Sequence, residues 1–315
     1  MRRVSLWMLV VLVVGLFAFP AASQEDLDAQ AAELMASEPS FEYAETIVNF
    51  ENLGLNIIGT LAMPVSDSPV PIVLLFHGFK GERDELPIVN TEEAMYSRTA
   101  RIFAERGIAT LRIEFRGSGE SEGLWEDTTF TGQIADAVAA LDFVGTLEGI
   151  DTARIGIIGL SQGGLVAAET AGQDARVASL VLWSAASNPA SNFANILPLE
   201  TIQAGLALPD GEALPITLPW GEETSMKREF FEELFTVDPV AAITHYANPM
   251  LVVVGSRDTT VYPQPLAGQI FLNYHEGDEA LVVLDGDHVF DVLATGPEVV
   301  DQAIFYSLAW FINTL

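Results

Sequence analysis

Residues 159–164 read Gly-Leu-Ser-Gln-Gly-Gly and follow directly on the apolar run 155–158. Gly159, Ser161 and Gly163 form the pattern G-x-S-x-G. In that pattern a strand turns into a helix so sharply that the flanking residues must be glycine, and the serine is left strained with its hydroxyl exposed. A hydroxyl held that way is a nucleophile in waiting. The same six residues also fit a small-residue turn with no chemistry, so Ser161 needs a base, an acid and an oxyanion site from elsewhere in the chain.

Four histidines compete for the role of base. His77 ends a strand far upstream, His245 lies in an irregular stretch, and His275 follows a helical segment and reads as solvated. His288 follows "ALVVLDGD", just beyond the carboxyl end of the last strand, from where it reaches a serine at the end of a neighbouring strand. An acid is needed to fix the tautomer of the base. Asp258 in "GSRDTTVYP" occupies the loop after the preceding strand. Asp285 and Asp287 are nearer in sequence, but an immediate neighbour rarely folds back onto the ring. Ser161, Asp258 and His288 are therefore the expected catalytic residues.

For the oxyanion, the residue after the nucleophile offers its backbone N–H, here Gln162 at the positive end of a helix. A second N–H is expected from Phe79 in His77-Gly78-Phe79, where Gly78 lets the backbone approach closely and His77 braces the loop. "RGSGES" at 116–121 invites a dinucleotide-loop reading, but Glu122 stands where a third glycine is required and no helix opens there. Arg116 reads instead as a charge anchor beneath the site.

These residues have to be positioned by alternating strands and helices. "AETIVNF" and "LNIIGTLAMP" read as a hairpin, and "PIVLLF" as a strand buried on both faces. "TEEAMYSRTARIFAERG" predicts an amphipathic helix capped at Thr91 and stopped by Gly107. Strand "IATLRIEF", helix 131–147, strand "RIGIIGL", helix "SQGGLVAAETAG" and strand "SLVLWSAA" follow. From about 187 to 248 the rhythm pauses in a segment with several prolines, acidic pairs Glu222-Glu223 and Glu232-Glu233, and aromatics Phe193, Trp220, Phe230, Phe231 and Phe235. Too long for an ordinary loop, it reads as a cap above the strand ends, where open α/β sheets bind ligands. The pattern then resumes with "PMLVVVGSRD", a helical stretch near 263–275, "EALVVLDGDH" and a closing helix from Pro297. The expected fold is α/β: a mostly parallel, doubly wound sheet with antiparallel N-terminal strands and a helical cap insertion.

At 315 residues the chain is long enough for a large core, and its hydrophobic half argues against disorder. Residues 1–23 have two arginines, an apolar run of roughly 16 residues and then small residues, the anatomy of a signal peptide cleaved before Gln24. An uncleaved anchor is the alternative. Residues 24–44 read as a polar, helix-prone leader to the domain at 45–315. There is no cysteine, so neither disulfides nor a lipidated cysteine is available. The net charge of −30, with Lys80 and Lys227 the only lysines, argues against nucleic acid and anionic membrane surfaces as partners.

The motifs "HGFKGERDE", "FRGSGESEG", "GLSQGG", "GSRDTTVYP" and "GDHVF" together resemble the α/β-hydrolase superfamily, and within it the cinnamoyl/feruloyl esterase and lysophospholipase-like serine esterases. The resemblance covers roughly 45–315. It implies a Ser161–Asp258–His288 triad, oxyanion donors at Phe79 and Gln162, and a cap that shapes the substrate pocket. The expectation is an exported serine esterase that acts on a small-molecule ester without metal or organic cofactor and is free of the membrane after cleavage. A serine exopeptidase of the same fold, using cap glutamates to hold a free amine, and a non-catalytic binding relative are the alternatives.

Overall fold

Successive residues of the third strand point to opposite sides of one sheet. Ile72, Leu74 and Phe76 join one apolar cluster, while Val73 and Leu75 join another. That is why the segment is apolar throughout: both of its faces are covered. The computed structural model describes residues 24–315, so the signal-peptide expectation for 1–23 lies outside the described residues.

In chain order, α1 (Gln24–Ala36) leads into the hairpin β1 (Tyr43–Asn52) and β2 (Leu55–Pro64), then β3 (Val70–Phe76), α2 (Met95–Ala104), β4 (Ala109–Ile113), α3 (Phe130–Val144), β5 (Ile150–Leu160), α4 (Gln162–Gln173) and β6 (Val177–Trp183). The insertion contributes α5 (Pro189–Phe193), α6 (Leu199–Leu206), β7 (Ala213–Thr217), β8 (Glu223–Lys227), α7 (Arg228–Glu233) and α8 (Pro239–Ile243). The domain closes with β9 (Met250–Gly255), α9 (Leu266–Tyr274), β10 (Glu279–Leu284) and α10 (Glu298–Thr314).

The main sheet has the order β1-β2-β4-β3-β5-β6-β9-β10. From β4 to β10 every pairing is parallel, and β1 and β2 add an antiparallel edge. Helices α3 and α4 bury one face with the first cluster. Helices α1, α2 and α10 bury the other, where Phe311 is fully covered, meets Phe103 edge-on and lies over Gly156. Among the described residues no helix is long and apolar enough to cross a membrane.

The structure corrects three details. The helix expected from Thr91 begins at Met95 instead. The Thr91 hydroxyl is spent on a turn, bonded to Ile88 O, and the Met95 and Tyr96 N–H groups are taken by Leu86 O and Asp84 O of the preceding loop. The helix-prone leader forms α1, in which Leu27 and Ala31, one turn apart, bury the helix against α10. The cap is mixed rather than helical: β7 and β8 pair as a separate antiparallel ribbon. His275 is not solvated. Its ring is buried, stacked on Tyr246 and bonded to Asn248 O and Glu279 at the entry ends of β9 and β10, far along the strands from Ser161.

Phe311→Ala would open a cavity between α10 and the sheet and is expected to cost about 3–5 kcal/mol, the usual range for deleting a core phenylalanine. Urea unfolding measures this, and a loss below about 1 kcal/mol would mean that the ring is not core.

Candidate active site

Ser161 sits between β5 and α4 at φ 54° and ψ −115°, a conformation that a residue with a side chain rarely adopts. The two glycines make it possible. A methyl group on Gly159 would stand 2.2 Å from Gly163 O, and one on Gly163 would stand 2.1 Å from Phe76 O. The first turn of α4 is thus pressed against the end of β3. The turn is tied by Ser161 N–H to Trp183 O at 2.9 Å, and Ser161 O accepts the N–H groups of Gly164, Leu165 and Ala186.

The sequence-predicted acid and base come together on this serine. His288 Nε2 lies 2.9 Å from Ser161 Oγ, and His288 Nδ1 lies 2.8 Å from Asp258 Oδ2. An ionised carboxylate only accepts, so Nδ1 carries the proton and Nε2 is left to accept from the serine hydroxyl. The other oxygen of Asp258 accepts the Thr260 and Val261 N–H groups at 2.7 and 2.9 Å, which fixes the buried carboxylate in place. The competing aspartates are occupied elsewhere. Asp285 pairs with Arg257, and Asp287 ties its own loop by accepting from Val289 and Asp291.

One step of the sequence reading needs correction. β10 is the sheet edge, separated from β5 by β6 and β9, so His288 is not on a neighbouring strand. Its loop folds back across the strand ends instead. Gly255 is bare where the loop crosses it, because a methyl group there would meet Asp287 O at 2.2 Å. The Phe290 ring then stands edge-on to Trp183 at 5.7 Å, which anchors the loop over the end of β6.

Of the expected oxyanion donors, Gln162 adjoins the serine in the chain and Phe79 follows Gly78, which lies against it. Gln162 opens α4, so its N–H has no acceptor within the helix. Its side chain turns inward and donates to Gln133 at 2.7 Å. Gly78 backs onto Ser161, with room for a methyl group only 3.5 Å from the serine Cβ. His77 is fully buried and braces this loop: Nδ1–H donates to Gly78 O at 2.9 Å, and Nε2 accepts the Phe115 N–H at 3.1 Å. Arg116 anchors the next residue along. The buried Asp136 accepts from its backbone N–H, Nε and NH2 at 2.8–3.0 Å and takes a further bond from Asn52.

Sequence reasoning missed Asp136, whose signal was a single carboxylate on the buried side of the apolar helix α3. It also missed the aromatic wall above the site. The Phe79 ring packs edge-on against Trp125 and Phe193, at 5.4 and 5.3 Å, and touches the Phe230 ring of the cap at 6.1 Å. Lys80 lies over the Trp125 ring and pairs with Glu222 of the cap at 3.2 Å. Of the cap aromatics, Phe193, Phe230 and Phe231 are buried while Trp220 and Phe235 face solvent.

A profile described as the alpha/beta hydrolase family matches residues 72–303, which takes in every one of these site residues. The chain belongs to the alpha/beta hydrolase family. Among the relatives of this chain, an uncharacterized 31.7 kDa protein from the traX-finO intergenic region of Escherichia coli is 33% identical over 122 residues, 39% of this chain and 40% of that protein. The quorum-quenching protein AidA of Acinetobacter baumannii is 27% identical over 165 residues, 52% of this chain and 51% of AidA. The chain thus spans about half or less of the length of the curated relatives it matches. Its fold is shared with Est1E of Butyrivibrio proteoclasticus, solved with ferulic acid bound, at a TM-score of 0.67 and 23% identity over 84% of this chain and 99% of that one.

Burial holds the His77 imidazole down at about 4, against the pull of its bond to Gly78 and of the Asp136 charge. A histidine with a depressed folded value lends stability that is complete above its unfolded value near 6.5 and is lost as the pH falls through about 4. Urea unfolding should therefore show the native protein weakening over that window more steeply than His77→Asn, whose amide keeps a donor for Gly78 O. Parallel profiles would mean that the ring is not buried neutral.

Proposed function

We propose that the protein is an exported serine hydrolase that cleaves carboxylic esters of small molecules through an acyl-enzyme. The observation that carries this is the unbroken hydrogen-bond chain from Ser161 Oγ through His288 to Asp258, at 2.9 and 2.8 Å. In the reaction His288 takes the Ser161 proton as Oγ attacks the ester carbonyl. Asp258 stabilises the imidazolium, and the N–H groups of Phe79 and Gln162 receive the oxyanion. The imidazolium then protonates the leaving alcohol. A water activated by the same histidine attacks the acyl-enzyme and releases the acid. None of these steps calls for a metal or organic cofactor.

The partly exposed Phe79 and Trp125 rings, backed by the buried Phe193 and Phe230, support an apolar or aryl group on one side of the ester, and ferulic acid bound to Est1E is a ligand of that kind. A peptidase would need cap carboxylates free to hold an amine. Glu222 is paired with Lys80 and Glu232 with Arg228, while Glu223 accepts from Thr217 and Glu233 from Thr131. Those partnerships weigh against an amine site in the cap. Export rests on the composition of residues 1–23, and the acidic surface suits a soluble protein with no nucleic-acid or membrane partner.

The mature protein is expected to react with a fluorophosphonate probe, and Ser161→Ala to lose the reaction; labelling that survives would sink the nucleophile assignment. Asp258→Asn should lower kcat by about 10⁴ on a hydrolysed ester, as expected when the histidine loses its tautomer partner. A panel of acyl esters, hydroxycinnamoyl esters and aminoacyl amides separates the substrate classes, and turnover of the amides alone would overturn the ester reading. Protein recovered from outside the cytoplasm should begin at Gln24, whereas retention of residues 1–23 would argue for an anchor.

A further inference from the structure

The loop after β3 contains a carboxylate with no part in the chemistry described above. Glu85 is half-buried with its carboxylate turned inward: Oε1 accepts the Gly78 N–H at 2.9 Å, and Oε2 is shielded from solvent without a hydrogen-bond partner. Glu85 itself adopts φ 61°, a left-handed conformation that is uncommon for a residue with a side chain. Gly81 gives it room, since a methyl group there would stand 2.3 Å from Oε2. Burial pushes the carboxyl up to about 7, with the Glu82 charge acting the same way and the Gly78 N–H opposing it. The Tyr96 phenol faces the same carboxyl. A sequence that needed only filling here would not keep a carboxylate with one oxygen unpaired, because such burial is costly.

Gly78 is the residue whose conformation decides where the Phe79 N–H points. The Gly78–Phe79 peptide is planar and trans, so its N–H is directed opposite to Gly78 O. Gly78 O is held by His77 Nδ1 at 2.9 Å and by the Gly81 N–H at 3.1 Å. Glycine has the widest backbone freedom of any residue, and restraint on its carbonyl side alone leaves the preceding peptide free to rotate. The bond from Glu85 supplies the second restraint.

We propose that Glu85 is a positioning residue of the oxyanion loop: by holding the Gly78 N–H it fixes both peptide planes of Gly78 and aims the Phe79 N–H at the substrate carbonyl oxygen. This rests on the ester-hydrolase reading above, with Phe79 as donor. Glu85 touches neither substrate nor nucleophile and acts through the backbone. Its loss therefore falls on the transition state, where the oxyanion exists, rather than on substrate binding.

The test uses the full chain with three substitutions, Glu85→Leu, Glu85→Gln and Gly81→Ala, scored by steady-state kinetics on a p-nitrophenyl ester and by amide hydrogen exchange at Gly78. Glu85→Leu removes the acceptor. Gly81→Ala leaves Glu85 in place and displaces only its carboxylate, so it carries the test if the leucine variant does not fold. Both are expected to lower kcat about tenfold to a hundredfold with KM within about twofold, a part of the 10²–10³ that loss of a whole oxyanion donor costs. Both should also speed exchange at Gly78. Glu85→Gln keeps an acceptor oxygen and should recover kcat to within about threefold of the native enzyme. Equal losses for the glutamine and leucine variants, a loss that appears in KM instead of kcat, or unchanged Gly78 exchange would overturn the proposal. If the native protein and Ser161→Ala were equally inert toward every ester, the hydrolase reading would fall alone, and the exchange measurement would still decide whether Glu85 holds Gly78.

Discussion

The site depends first on how closely the start of α4 approaches the end of β3. With a methyl group on Gly163 excluded by Phe76 O and one on Gly159 excluded by Gly163 O, strand and helix meet almost backbone to backbone. That contact forces Ser161 into its left-handed conformation and puts its hydroxyl outside both elements. Strain of this kind costs of order 1–3 kcal/mol and persists only where the surroundings over-determine it. Here they do, through the bonds from Trp183 O to Ser161 N–H and from Ser161 O to three backbone N–H groups. The same contact brings the helix N-terminus beside the loop His77–Phe79, so the proposed nucleophile and the backbone proposed to bind the oxyanion are products of one packing constraint.

Around that contact the polar groups hold backbone as well as pair charges. Asp136 grips Arg116, the adjacent Phe115 N–H holds His77, and His77 holds Gly78 O. On the opposite side, Asp258 and the Asp287–Asp291 pair spend their oxygens on loop N–H groups and so present His288. Asp136, Asp258 and Asp291 are buried, where water competes poorly for the bond, and Asp287 is half-buried. The surface, by contrast, has a large excess of acidic groups, which bears on solubility and says little about the fold.

The cap is joined to this frame by apolar and polar contacts together. Phe193 and Phe230 pack on Phe79 and Phe130, Glu233 caps the start of α3 through Thr131, Lys80 reaches Glu222, and Asn195 donates to Thr260 O in the acid loop. The oxyanion loop and the acid loop are therefore both in contact with the segment that lies over the site.

Much of this was legible in the sequence, because it is written in short-range patterns. Apolar runs such as "PIVLLF" announce a strand covered on both sides, and the alternation of strand and helix announces a parallel sheet. The order of Ser161, Asp258 and His288, each after its own strand, singled out the residues that converge. What the sequence left open depends on long-range packing. The start of α2 moved to Met95 because Leu86 O and Asp84 O claimed its first N–H groups, and His275 became a core residue because Tyr246 and Asn248 closed around it. The return of the His288 loop across two strands, the ribbon in the cap and the burial of Glu85 behind Gly78 belong to the same class. Local sequence determines which segments can form strands, helices and tight turns. Only the tertiary structure decides which loop ends meet, because that is set by how distant segments exclude one another's atoms and satisfy one another's buried polar groups.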